Sequence, residues 1–420
     1  MDVERNGLPG SSEEPAEIVA AKEMIRRVIK AVRSHLGMDV AYVSQIIDNH
    51  SIVRVTDAPG SEGRIWDGMS WQMEDAYCQA ILEGKLPELM PDTGAVPAAA
   101  AFPVTSEGPI GAHISVPLRL PDGQAYGMFC CLSFEPDPTL TNRDLQVMRA
   151  FADLTAGQIS QELDAARAQR AKKARVVEAV ERHELTFVFQ PVVRLVDDRV
   201  VGFEALARFA GLPHRAPNVW FQEAAEVGYG LELEWIAIRE ALKQFAPLLD
   251  RAYVAVNASP EAIMSPGFPA LFDGLPGEAI VLEITEHESI TDCTQLIAAL
   301  AGVRSRGVRI AVDDVGAGYS SLTRLVDLRP DLIKLDMNLV RNIDSDTARR
   351  ALASALMSFA AGTETITVAE GVETLAELQV LRDLGVDKVQ GYYLGRPMAI
   401  EQAAALAGNR IGAAAPAAQG

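Results

Sequence analysis

Four cysteines in 420 residues, with no CxxC spacing among them, exclude a disulfide framework and a cysteine-ligated metal. Two of them, Cys130 and Cys131, stand side by side in an apolar stretch, as small buried thiols do in a reducing compartment. Long apolar runs are missing too. No stretch is long enough to cross a bilayer, and the start, MDVERNGLPGSSEEPAE, lacks the basic and apolar regions of an export signal. A cytoplasmic protein with no membrane partner is the expectation. Basic charge is also scarce: 38 Lys and Arg face 57 Asp and Glu, for a net charge of −19. Binding to duplex nucleic acid needs clustered cations to displace counterions, so that partner is excluded. A small phosphate ester held through metal ions stays compatible with the balance.

What the chain does have is apolar content for two ordinary domains, 49% hydrophobic residues with 32 Gly. In the second half, buried-looking strands each end in a polar group. Val308 to Val312 runs into Asp313 and Asp314, and Leu332 to Leu335 carries Lys334 before Asp336. Tyr253 to Val256 ends in Asn257, Ile280 to Leu282 in Glu283, Thr365 to Ala369 in Glu370, and Lys388-Val389 in Gln390. One Asp pair could simply cap a turn. Repeated at every strand, and separated by helical segments at 231–249, 261–272, 291–306, 346–361 and 374–384, the pattern predicts a (β/α) barrel with its chemistry at the carboxyl rim.

The barrel should begin with a hairpin. Between the apolar runs of LTFVFQPVVRLVDDRVVGFEALAR only about three residues intervene, too few for a parallel crossover, so these strands pair antiparallel. A turn centred on Asp197-Asp198 would set Gln190 opposite Ala205 and beside Glu204.

The first half reads as α+β. A helix is expected from Pro15 to Leu36, strands at 40–47 and 51–55, a helix near 74–82, and a hairpin of 110–120 and 125–134 about Pro121-Asp122-Gly123-Gln124. A long helix from Thr141 closes the unit. The layout, and the stretches ISVPLRLPDGQAYGMFCCLSF and TNRDLQVMRAFADL above all, resemble a GAF domain, which implies an unknown small-molecule or other signal as its partner. The apolar stripe Leu145, Met148, Phe151, Leu154, Ile159 and Leu163 exceeds what one small sheet covers, so a homodimer through this helix is expected. The domain reading is a disordered leader at 1–14, the GAF-like unit at 15–165, a helical linker at 166–180, the barrel at 181–405 and a disordered tail at 406–420.

Read in order, Glu204-Ala205-Leu206, Asn257, Glu283, Asp313-Asp314, Lys334 and Glu370, with FQP at 189–191, DDVGAGYSSL at 313–322, AEGVET at 369–374 and QGYYLGRP at 390–397, resemble the EAL domain of bacterial cyclic di-GMP phosphodiesterases. The resemblance implies a TIM-type (β/α)8 barrel with an antiparallel first strand. It implies hydrolysis of one phosphodiester of cyclic di-GMP to linear pGpG, using two Mg2+ or Mn2+ per site. Glu204, Asn257, Glu283, Asp313, Asp314 and Glu370 would hold the metals, with Lys334, Glu370 and Glu204 as catalytic residues. Oxygen ligands suit these hard cations. Gln190, Leu206, Arg208 and Gln390 fall on substrate positions, and Asp336 and Glu373 support the site. Glu286 matches the residue anchoring the loop 315–322, whose Gly316 and Gly318 permit closure.

Departures are Val315 for the usual Phe, Met337 for a frequent Arg, and a loop FAGLPHRAPNVWF without Trp-x-His-Pro; none removes a ligand. A catalytically silent EAL domain acting as a cyclic di-GMP receptor is the alternative. A Schiff-base aldolase does not fit, because a ring of carboxylates raises an amine that such chemistry needs lowered.

Overall fold

The computed structural model describes residues 16–411, apart from 103, 106–109, 183, 212–213, 285–292 and 316–320. It divides into two compact units, Met1–Gln169 and Arg170–Gly420.

In the first unit, strands β1 (Val40–Ile47), β2 (His50–Asp57), β3 (Ser70–Gln72), β4 (Leu89–Met90), β5 (Ala112–Arg119) and β6 (Ala125–Ser133) form one antiparallel sheet in the order β3-β2-β1-β6-β5-β4. Both faces are covered, so the strands read as continuous apolar runs. Alternation sends Phe129 and Cys131 to one core and Met128, Cys130 and Leu132 to the other. The adjacent cysteines therefore part company: Cys130 Sγ meets Ser115 Oγ at 3.0 Å, while Cys131 Sγ approaches Met148 Sδ at 3.8 Å. Cys78, Cys130 and Cys131 are free and buried.

The helices Ala16–Leu36 and Asn142–Glu181 supply one core and Tyr77–Leu82 the other. The stripe expected to need a partner helix is mostly satisfied here. Leu145, Met148 and Ile159 are buried, Phe151 and Leu163 are half-buried, and Leu154 remains 70% exposed.

The stretch expected as a helical linker, 166–180, is helical. The helix runs unbroken through Glu181, and its last turns belong to the barrel unit: Val176 and Ala179 enter the barrel's outer core, and Arg175 pairs with Glu223 at 3.1 Å. Residues 406–411, expected to open the tail, are ordered against the first hairpin: Val200 N donates to Asn409 O and Ile411 N to Asp198 O. Residues 1–14 and 412–420, expected to be disordered, lie outside the described residues.

The second unit is a closed eight-stranded barrel of β7 (Leu185–Arg194), β8 (Arg199–Phe209), β9 (Tyr253–Ala258), β10 (Ile280–Ile284), β11 (Arg309–Val315), β12 (Leu332–Leu335), β13 (Ile366–Ala369) and β14 (Lys388–Val389). β7 runs antiparallel to both neighbours, β14 and β8, and the other pairs are parallel.

The first hairpin differs by one residue from the expected register. Its turn is Leu195–Asp198, closed by Asp198 at φ 56° and by Arg194 on Asp197, and a bulge at Val201 shifts the ladder so that Gln190 faces Glu204 itself. The sequence also concealed a helix, Pro217–Glu226, inside the apparent loop after Arg208; Pro217 begins it and Trp220 anchors it against Phe209.

Side chains alternate along each strand, so one residue in two enters the lumen. Val192, Tyr253, Ala255, Val281, Ala311, Leu332 and Val368 pack there as a small central core, while Val254, Val256, Leu282, Ile310 and Ile333 face the helices.

Candidate active site

Counting two residues onward from that lumen layer lands on the predicted constellation: Ala255 leads to Asn257, Val281 to Glu283, Ala311 to Asp313, Leu332 to Lys334 and Val368 to Glu370. From Gly202 the same step reaches Glu204. Strand pleat alone therefore lifts six polar side chains to the carboxyl rim, above an apolar floor that excludes water from beneath.

Lys334, 2% exposed, stands at the centre. Its Nζ lies 2.6 Å from Glu370, 2.7 Å from Glu283, 3.3 Å from Asp313 and 3.9 Å from Glu204. Burial would depress this ammonium, yet the four carboxylates outweigh it and hold its pKa well above the usual lysine value. Glu283 is pushed up, by burial first, with Lys334 opposing and the neighbouring acids reinforcing the shift. Glu370 is raised to about 8 for the same reasons. An amine so firmly protonated is no Schiff-base nucleophile.

Asp313 and Asp314 are consecutive and should face opposite ways. They do not, because β11 carries one extra residue between its pairings Val312↔Ile333 and Val315↔Leu335, with Asp314 at φ 53°. Asp is among the few residues that adopt this left-handed conformation at modest cost. The bulge brings carboxylate oxygens of Asp313, Asp314 and Glu370 within 4.8 Å of one another. With Glu204, Asn257 and Glu283 beside them, the donor set is entirely oxygen, which fits hard divalent cations such as Mg2+ or Mn2+ and does not fit softer metals. Glycine is required next to Glu370: Gly371 has φ 68°, and a Cβ there would come within 2.6 Å of Met337.

A hydrogen-bonded chain fixes the other side of the rim. Gln390 Nε2 donates to Glu204 Oε2 at 2.6 Å and to Gln190 Oε1 at 3.1 Å, Gln190 Nε2 donates to Gly395 O at 3.2 Å, and Asn257 Nδ2 donates to Glu204 Oε1 at 3.3 Å. Gln190, Gln390 and Glu204 are thus oriented before any ligand arrives. Leu206 and Arg208 line a cavity of about 190 Å3 together with Asn257, and Arg208 is exposed.

Asp336 caps the helix Met337–Val340, its carboxylate accepting from Asn338 N at 2.8 Å. Glu373 pairs with Arg341 at 3.2 Å. The backbone after Glu370 is held by Glu377, which reads in sequence only as half of a capping box with Thr374. Its buried carboxylate accepts from the backbone N–H of Asn342, Glu373 and Thr374, locking the segment after Glu370. Glu286, Gly316 and Gly318 lie outside the described residues.

The EAL domain family model matches residues 173–397, more than half of the chain, and the GAF domain model matches residues 21–159. An "Uncharacterized signaling protein" of Caulobacter vibrioides is 32% identical over 304 residues, covering 67% of this chain and 37% of the relative. The "Bifunctional diguanylate cyclase/cyclic di-GMP phosphodiesterase MucR" of Pseudomonas aeruginosa is 32% identical over 238 residues, covering 54% of this chain and 35% of the relative. The chain spans about a third of the length of these relatives. The solved "PaMucR Phosphodiesterase, c-di-GMP complex" matches with a TM-score of 0.51 at 29% identity, over 56% of this chain and 99% of that one. An EAL domain protein from Listeria monocytogenes gives 0.50 at 27% identity, over 54% and 93%. The chain belongs to the EAL domain family, its barrel preceded by a GAF domain.

Proposed function

We propose that this chain is a cyclic di-GMP phosphodiesterase that opens one phosphodiester to give linear pGpG, and that its GAF domain, binding a small molecule or other signal, regulates it. The observation that carries the reading is the completeness of the cage: Lys334 among Glu204, Glu283, Asp313 and Glu370. Glu204, Asn257, Glu283, Asp313, Asp314 and Glu370 would hold two Mg2+ or Mn2+ ions. When bound, these supply Lewis acidity and a more acidic water at neutral pH.

The chain's own side chains do the rest. Lys334, held as an ammonium, offsets negative charge gathering on the phosphoryl oxygens in the transition state. Arg208 offers a planar fork to a phosphate or a guanine edge, and Leu206 packs on the ligand. Gln190 and Gln390 keep Glu204 aimed, and the apolar lumen keeps stray water from below.

A cytoplasmic homodimer is part of the proposal. No helix among the described residues is long and apolar enough to cross a membrane. The exposed Leu154 and Met24 lie on the two helices that cover one face of the first sheet, where a second copy would bury them.

Incubation with cyclic di-GMP and Mg2+ or Mn2+ followed by chromatography should yield pGpG. Tight binding with no product under either ion would replace this reading with that of a silent receptor.

A further inference from the structure

We propose that the amino end of the barrel, opposite the rim, is a second ligand site, built for a small molecule carrying a phosphate or diphosphate group. A cavity of about 630 Å3 opens there, lined by Arg194, Arg309, Arg382 and Lys388 around Tyr253. The pleat that builds the rim also builds this end. Tyr253 and Arg309 stand four residues before Asn257 and Asp313, and Lys388 stands two before Gln390, so all three face the lumen from below.

The charges in this cavity are unequally met. Arg194 pairs with Asp197 at 2.6 Å and Arg382 with Asp198 at 2.8 Å. Asp387 gives one carboxylate oxygen, Oδ2, to Thr367, accepting from the backbone N at 2.9 Å and the hydroxyl at 2.8 Å, and lies beyond ion-pair distance of Lys388 and Arg309. Arg309 and Lys388 have no carboxylate within ion-pair distance among the described residues. Both rest instead on the ring of Tyr253, at 4.9 and 4.5 Å from its centroid. Arg309 Nε is buried with no hydrogen-bond partner.

Two neighbouring cations facing one cavity, one of them carrying an orphaned donor, are costly for a folded chain to hold together, and an anion between them would offset both charges. The cavity has the volume of an ordinary small-molecule site. A guanidinium fork beside an ammonium is the donor set that recognises phosphate oxygens. The back wall is rigid, because Tyr253 lies flat on Gly202, where a Cβ would come within 2.4 Å of the ring. On a chain of net charge −19, this is a confined cationic site and not a basic surface.

The test is isothermal titration calorimetry of the full chain with inorganic pyrophosphate, and in parallel with inorganic phosphate. Both are run in EDTA, so that the carboxylate rim has no cation with which to draw an anion. The wild type should bind pyrophosphate at submillimolar concentration, and Arg309→Met and Lys388→Met should each weaken it by at least about tenfold. Lys388→Met fills the same volume without a buried charge and should melt no lower than the wild type, so its loss of affinity reports the site and not unfolding. If Arg309→Met fails to fold, Arg309→Lys takes its place and should weaken binding several-fold. Absence of binding at about 10 mM, or equal affinity in wild type and variants, would overturn the proposal.

Discussion

The two ends of the barrel lumen, a few residues apart along the same strands, solve the burial of charge in opposite ways. At the rim, one ammonium sits among four carboxylates, and its positive charge is reinforced. At the other end, Lys388 is nearly as buried but faces Arg309 and an aromatic ring. Burial, helped by Arg309 and opposed by Asp387, presses its pKa down to about 8. The contrast teaches that burial alone does not set a lysine's chemistry; the sign of its neighbours does.

The harshest way to break the comparison is to remove the rim's ammonium. Lys334→Ala should cost about 10²–10³-fold in kcat with little change in KM, because its contribution belongs to the transition state. Without metal it should also destabilise the barrel by about 3–5 kcal/mol, since buried carboxylates lose their counterion. Steady-state kinetics and denaturant melts check both, and near-normal turnover would remove Lys334 from the mechanism.

Cations should act on the rim and leave the other end alone. At about 100 times its Kd, Mg2+ or Mn2+ should add about 2.7 kcal/mol and raise the melting temperature by several degrees. Calcium should bind yet inhibit, its looser coordination misplacing the water. A melting curve indifferent to all three ions would count against the cage.

The pH dependences should separate the ends by sign. Glu370, raised to about 8 in the folded protein, stays protonated where the unfolded chain has released its proton, so metal-free stability should fall between roughly pH 4.5 and 8. Lys388, lowered to about 8, is neutral where the unfolded chain still holds a proton, so stability should recover from about pH 8 toward 10.5, by up to ~1.4 kcal/mol per unit. Lys388→Met should be the more stable protein at pH 7 and lose that advantage as pH climbs. Denaturant midpoints across pH test this; a parallel profile in wild type and variant would show that Lys388 is not strained.

The smallest expected effect is steric. Gly202→Ala would drive a methyl into the Tyr253 ring and should cost about 1–3 kcal/mol, felt first at the cationic end and only weakly at Glu204.

The sequence was legible wherever a strand's apolar run ended in an acid, an amide or Lys334, because alternation and strand direction are local properties. It was less legible where one residue changes the count. The bulge at Val201 moved Gln190 from opposite Ala205 to opposite Glu204, and the stripe on the helix from Asn142 proved largely covered by its own sheet. Arg309 and Lys388 are single cations opening apolar strands, with no motif around them to mark a site. Counting back by twos from Asp313 and Gln390 would have placed them in the lumen.

By itself, then, the sequence determined the barrel and its antiparallel first strand, through periodicity and loop length, and the GAF unit and the acidic constellation through motifs that resemble known families. Only the tertiary structure decided that Asp313 and Asp314 both face the cage, that Glu377 secures the segment after Glu370, and that two unmatched cations share one ring at the far end. These depend on a left-handed residue, on which backbone donors a carboxylate reaches, and on which strands close the barrel side by side, and no local pattern encodes distances between residues far apart in the chain.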